Sequence, residues 1–293
     1  MSDGPAFPRE LERAIFELAA RTSTSVLLQL LLVAQRVHTW IEPILYETVC
    51  IEDSSPESRP SRLFAARSRE FLATRVRRIS LSGSCLRGND AVLEICNRIT
   101  HLAVGSPGSH YAENIAKNLL ALRNLRCLTF YIDFVLDEAD VDGEDTHEHD
   151  SNAITSLAAS AAFASLTHLE LLEIVPQAAT FCIRLPSLTH LAFNLHDDPC
   201  PWEQVRAVLL DCANLEVLII VDCTLSHIRT TAAALALQTD ETLHDSRLVL
   251  TTWDTWDEGV LDGRNFWHVA EVFLQHKRAG IYSGTHYIAK RYL

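Results

Sequence analysis

The chain has 293 residues, 48% of them hydrophobic, enough for one large core or two ordinary ones and too apolar for disorder beyond local stretches. Its net charge of -13 would repel a phosphate backbone, which argues against nucleic-acid binding and favours a basic or neutral partner. The eight cysteines form no C-x-x-C pair, no N-x-Ser/Thr sequon occurs, and the first residues lack a charged-then-apolar leader. A soluble cytoplasmic or nuclear protein is therefore expected, with cysteines used as small core residues. The longest strongly apolar run, Val26 to Ala34, falls far short of the ~20 residues of a membrane span, so no membrane partner is expected.

Pro8 suits a helix start, and Leu11, Ala14, Ile15 and Leu18 then share one helical face. After a Thr-Ser joint at 22–25, the apolar residues from Val26 to Tyr46 surround a helix almost completely, which predicts burial on more than one side until Pro43 ends or kinks it. Pro8, Glu10, Leu11, Ile15, Phe16 and Leu18, followed by Leu32, Val33, Arg36, Trp40, Leu45 and Tyr46, resemble an F-box over residues 1–50. That resemblance implies docking to the linker subunit of an SCF-type ubiquitin ligase through Pro8, Leu11, Ile15, Phe16, Leu32, Val33, Trp40, Leu45 and Tyr46. The chain departs from the family at Val37, where an aromatic often follows the basic residue, and at the Thr-Ser joint. A plain helical cap over the first repeat would use the same apolar face.

Residues 51–75 read as an Arg-rich linking helix, amphipathic through Leu63, Phe64, Arg67, Phe71 and Leu72, with the arginines solvated. From Ser54 to Gly88 eight arginines face only Glu57 and Glu70.

Six copies of one phrase follow, each apolar, two variable, apolar, one variable, apolar, starting at Val76, Ile99, Leu125, Leu166, Leu188 and Leu215. Their starts are 23, 26, 41, 22 and 27 residues apart, the period of a solenoid unit with one insertion. The insert at 137–151 carries eight carboxylates and nothing that could pack. The phrases resemble degenerate leucine-rich repeats, so the expected fold class is α/β: a leucine-rich-repeat-like solenoid of parallel strands with intervening helices or loops over 76–255, preceded by the small helical head. A seventh, weaker strand is predicted at Leu248 to Leu250. An N-terminal head followed by such repeats is similar to fungal F-box proteins with leucine-rich repeats.

With the template positions pointing inward, alternation sends the intervening residues to the concave face. The candidate partner-binding residues there are Arg78, Ser80, His101, Thr129, Tyr131, His168, Glu170, His190, Asn194 and Ile219. His101, His168 and His190 fall in one register, but no carboxylate or thiol completes a metal site convincingly, so no metal and no cofactor is expected. The aliphatic row Val217, Ile219 and Val221 would mark a partner site unless the C-terminal segment folds over it. In residues 256–293, Asn265 is a plausible cap for a helix with Phe266, Ala270, Phe273 and Leu274 on one face, expected to close the last repeat.

No G-x-S-x-G, P-loop, dinucleotide fingerprint, H-E-x-x-H or kinase signature occurs, so no enzyme is expected. The expected function is a protein-interaction adaptor, the substrate-recognition subunit of an SCF-type ligase, holding an unknown target protein. The alternative is a non-ligase interaction scaffold that has lost linker-subunit binding.

Overall fold

Each phrase places two apolar side chains two positions apart, so both point to the same side of an extended strand. The computed structural model describes residues 7–51, 66–81, 90–105, 112–132, 154–196, 198–252, 265–283 and 286–289. In it all six phrases join a single open sheet of eight parallel strands whose order follows the sequence. The acidic insert at 137–151 and most of the predicted linking helix, including Leu63 and Phe64, lie outside the described residues.

The head is three helices, α1 (Arg9–Ala20), α2 (Thr24–Leu30) and α3 (Gln35–Leu45). Ala20, Leu27, Val37 and Ile41 are buried between them, with Phe16, Trp40 and Leu45 packed partly against that centre. The run from Val26 to Tyr46 is therefore two helices and not the single enclosed one expected. Ser23 Oγ accepts from Val26 N at 3.3 Å to start α2, and a turn at 31–34 separates α2 from α3. Leu32 and Val33 in that turn and Leu28 on α2 are exposed, although the apolar run predicted burial on more than one side. Pro43 neither ends nor bounds α3, which continues to Leu45, its last residues Ile44 and Leu45 held against the head core.

The sheet begins earlier than the phrases do, at β1 (Thr48–Ile51), which pairs in parallel with β2 (Arg78–Leu81). Between them α4 (Arg69–Arg75) starts at Ser68, whose hydroxyl accepts from Phe71 N. Then come α5 (Asp90–Ile95), β3 (His101–Val104), α6 (Ala112–Ala121), β4 (Cys127–Phe130) and β5 (His168–Leu171). After these follow α7 (Ala178–Ile183), β6 (His190–Asn194), α8 (Trp202–Asp211), β7 (Val217–Asp222), α9 (Leu225–Ala236) and β8 (Leu248–Thr252). β8 contains the strand predicted at Leu248 to Leu250.

The phrases pair in step, with Ile79, Leu102, Leu128, Leu169, Leu191 and Leu218 in one row across the sheet. That row and the one two residues on form the main core with side chains from all of α4 to α9. Parallel neighbours need a crossover of a dozen or more residues, and here every crossover helix returns on the same side. One-sided winding stacks the units like a solenoid, whereas a doubly wound sheet would carry helices on both faces. Cys96, Cys182 and Cys212 are buried in this core as free thiols, as expected of small apolar residues.

The last helix, α10 (Phe266–Arg278), does something different. It lies on the opposite face, the one expected to be concave, where Phe266, Trp267, Ala270, Phe273 and Leu274 cover Ala192, Val217, Ile219, Val221 and Val249. The aliphatic row is thus covered from inside the chain, and α10 closes a face of the sheet and not merely its end. Asn265 caps it as predicted, its Oδ1 accepting from His268 N at 3.1 Å. Gly280, at φ 73°, ends it, with Gly280 N bonding Lys277 O and Ile281 N bonding His276 O in the left-handed closure that glycine allows. Residues 287–289 then bond to Leu250, covering the outer edge of β8. Asn265→Ala is expected to cost about 1 kcal/mol and to speed amide exchange in the first turn of α10, while Asn265→Gly costs only a few tenths; equal losses for both would deny the cap its role.

Among the described residues no helix is long and apolar enough to cross a membrane.

Candidate functional site

Three strand phrases open with the same pair: Thr100-His101, Thr167-His168 and Thr189-His190. In each, the threonine Oγ1 lies 2.8–2.9 Å from its histidine's Nδ1. The same hydroxyl reaches back to a carbonyl of the preceding strand: Thr100 to Arg77 O, Thr167 to Arg126 O and Thr189 to Thr167 O. One hydroxyl proton cannot serve both contacts. Both are satisfied only when the hydroxyl donates to the carbonyl and accepts from Nδ1–H, which fixes the tautomer and leaves each Nε2 with its lone pair.

The register sets the three histidines in one row, His101 opposite Cys127, Cys127 opposite His168, and His168 opposite His190. Adjacent parallel strands bring the last two rings into a stack, centroids 4.2 Å apart and 11° from parallel, while His101 stands two strands away. Trp267 of α10 meets both stacked rings edge-on, at 5.3 and 6.0 Å. Glu271, one turn further along α10, places Oε1 3.2 Å from His190 Nε2. Burial lowers the pKa of His190, against the pull of Glu271. It takes His101 and His168 down to about 4, helped by Arg78 beside the first and by the neighbouring histidines beside the second.

Two residues beyond His168, Glu170 is fully buried. Thr129 Oγ1 donates to its Oε2 at 3.0 Å and Asn194 Nδ2 to its Oε1 at 3.3 Å. Burial nevertheless pushes its carboxyl up to about 7, outweighing both bonds. His101, Cys127, Thr129, His168, Glu170, Trp267 and Glu271 line a pocket of about 270 Å³ where α10 stops short of β3 and β4.

The concave-face residues predicted to bind a partner therefore separate. Arg78, His101, Tyr131 and His168 are half-buried and reach the surface. Ser80, Thr129, Glu170, His190, Asn194 and Ile219 are buried; α10 covers Ile219, and Glu170 holds Thr129 and Asn194. These six lie beneath the open surface, with Thr129 and Glu170 reached only through the pocket, because the strand pattern assigns a face without showing what lies on it. Glu271 went unnoticed in the strand phrases because it lies 81 positions beyond His190. A signal existed: it falls in the stripe Trp267, Ala270, Glu271, Leu274, a carboxylate on an otherwise apolar helical face.

A second surface lies on the head. Leu11, Ile15 and Leu18 form an exposed row along α1, and Leu28, Leu32 and Val33 are also exposed on the head. Arg36 grips Glu12 through Nη2 at 2.7 Å and through Nε, holding the start of α3 and the turn before it beside α1. Phe16, Trp40 and Leu45 are instead partly buried in the head, and Tyr46 stacks edge-on against Phe71 under the Arg67 guanidinium. Arg67 also donates to Glu42 and to the Tyr46 hydroxyl, so this arginine of the bridge is a fastener between head and sheet and not a merely solvated charge. No protein-family model matches the chain, and no curated protein matches it.

Proposed function

We propose that the chain is a protein-interaction adaptor in which an F-box-like head joins a leucine-rich-repeat-like solenoid, serving as the substrate-recognition subunit of an SCF-type ubiquitin ligase and catalysing nothing itself. The observation that carries this reading is the apolar surface of the head, where Leu18 is 73% and Leu32 87% exposed. A head that served only to cap the sheet would turn such residues inward, and large exposed apolar side chains gathered on one small module point to a partner site. Val37, where the family often has an aromatic, is fully buried in the head core, so that departure changes packing beneath the docking surface and not the surface itself. The target would meet the rim of the concave face at Arg78, His101, Tyr131 and His168.

Capture of the ligase linker subunit by the full chain tests the proposal. Wild type is expected to bind, and Leu11→Asp and Leu32→Asp to weaken binding at least about 10-fold each with unchanged melting temperature, since a charge in an apolar contact removes an anchor. Leu45→Asp would not serve, because Leu45 packs in the head core. Absence of capture by the wild-type chain would overturn the ligase reading and leave an interaction scaffold that no longer binds the linker.

A further inference from the structure

His190 has two acceptors and, as a neutral ring, one proton. Thr189 Oγ1 lies 2.8 Å from Nδ1 and takes it, which leaves the Nε2 lone pair and a carboxylate oxygen of Glu271 facing each other at 3.2 Å. Such a contact is repulsive unless the ring takes a second proton, which burial opposes, or a metal cation is shared by the two atoms. Beside it, His168 is oriented in the same way by Thr167, and one ring nitrogen of each histidine and a carboxylate oxygen of Glu271 all lie within 4.8 Å of one another.

The geometry points to a divalent transition-metal site, best suited to zinc, formed by His168, His190 and Glu271. Two imidazoles and one carboxylate suit Zn²⁺, whereas Ca²⁺ and Mg²⁺ favour oxygen ligands. Tetrahedral zinc with bonds of about 2.0–2.1 Å sets its ligand atoms about 3.3 Å apart, the separation already present between His190 and Glu271. His168 must tilt its Nε2 out of the stack to join them. The threonines do what outer-shell partners of metal histidines do, accepting Nδ1–H so that Nε2 is basic and aimed. Three protein ligands leave a fourth coordination position, and it opens on the pocket lined by Cys127 and Glu170. Because two ligands belong to the sheet and one to α10, the metal would also clasp α10 to the concave face.

The test is titration of the chelator-stripped full chain with Zn²⁺ by calorimetry, repeated with Co²⁺ for the visible absorption of a tetrahedral complex. One equivalent is expected to bind and to raise the melting temperature. Glu271→Gln and His168→Asn are each expected to weaken binding at least 10-fold, and Thr189→Val, which removes a positioning contact, about 10-fold. The metal-free variants should melt like the wild type, which separates a lost ligand from a lost fold. His227→Ala removes the other histidine–carboxylate pair among the described residues, with Asp222 at 2.9 Å, and should leave affinity unchanged. No binding by the wild type, or equal binding by wild type, Glu271→Gln and His168→Asn, would overturn the site.

Discussion

Replacing Phe193 by alanine is expected to lower the unfolding free energy by about 3–5 kcal/mol, a large share of the 5–15 kcal/mol typical of a folded domain. Phe193 sits on β6, fully buried on the helix-covered side of the sheet, so its removal costs both transfer energy and a cavity. Where that loss spreads follows from the stacking. β6 pairs only with β5 and β7, and a one-sided solenoid draws its stability from each unit and its two neighbours. Amide exchange in Phe193→Ala should therefore rise first in β5, β6 and β7 and last in β1 and β2, and the urea midpoint should fall. Leu32→Ala, at an exposed site, should stay within about 0.5 kcal/mol of wild type. A loss below about 1 kcal/mol for Phe193→Ala, or exchange rising equally in all eight strands, would contradict a core built unit by unit.

The strand rows were legible because the phrase repeats with an alternation that only a half-covered strand satisfies, and the pairing of Ile79, Leu102, Leu128, Leu169, Leu191 and Leu218 follows directly from it. β1 went unread although residues 46–51 fit the same template, apolar at Tyr46, Val49 and Ile51, and Val49 pairs with Ile79 in the same row. Its opening position holds the aromatic Tyr46, which also reads as the last residue of the head. Asn265 announced α10 through its cap chemistry, but not where α10 would lie. A helix stripe of Phe266, Ala270, Phe273 and Leu274 fits any apolar surface, and the choice between the sheet end and the concave face depends on Val217, Ile219 and Val221 being there to cover. The candidate site shares that limit. The histidine row is local and could be read from spacing, whereas Glu271 and Trp267 arrive through the tertiary placement of α10. The head failed in the opposite direction: the apolar residues from Val26 to Tyr46 suggested enclosure, yet Leu28 stays outside on α2, and Leu32 and Val33 stay outside where the chain turns at 31–34.

Glu170→Gln is expected to stabilise the protein at pH 8 and to leave it nearly unchanged at pH 5. The Glu170 carboxyl titrates at about 7 in the folded chain against 4.5 ordinarily, because burial disfavours its charge more than Thr129 and Asn194 favour it. A carboxyl with a raised folded pKa binds its proton more tightly when folded, so its favourable contribution is complete below about pH 4.5 and is lost as pH climbs through about 7. Above that the buried carboxylate costs on the order of 3 kcal/mol relative to its protonated form. Glutamine keeps the shape of the neutral acid and offers an acceptor oxygen to Asn194 and an NH2 with two donors, one of which the Thr129 hydroxyl can rotate to accept. His101 and His168, held at about 4, act in the opposite sense, destabilising the fold as pH drops below their ordinary range. They do so in both proteins, so the informative quantity is the melting-temperature difference between variant and wild type with chelator present. That difference should grow from near zero at pH 5 to clearly positive at pH 8. A variant less stable than wild type at pH 8 would mean that the two hydrogen bonds outweigh burial and that Glu170 is an ordinary carboxylate, ionised at neutral pH beside the histidine pair.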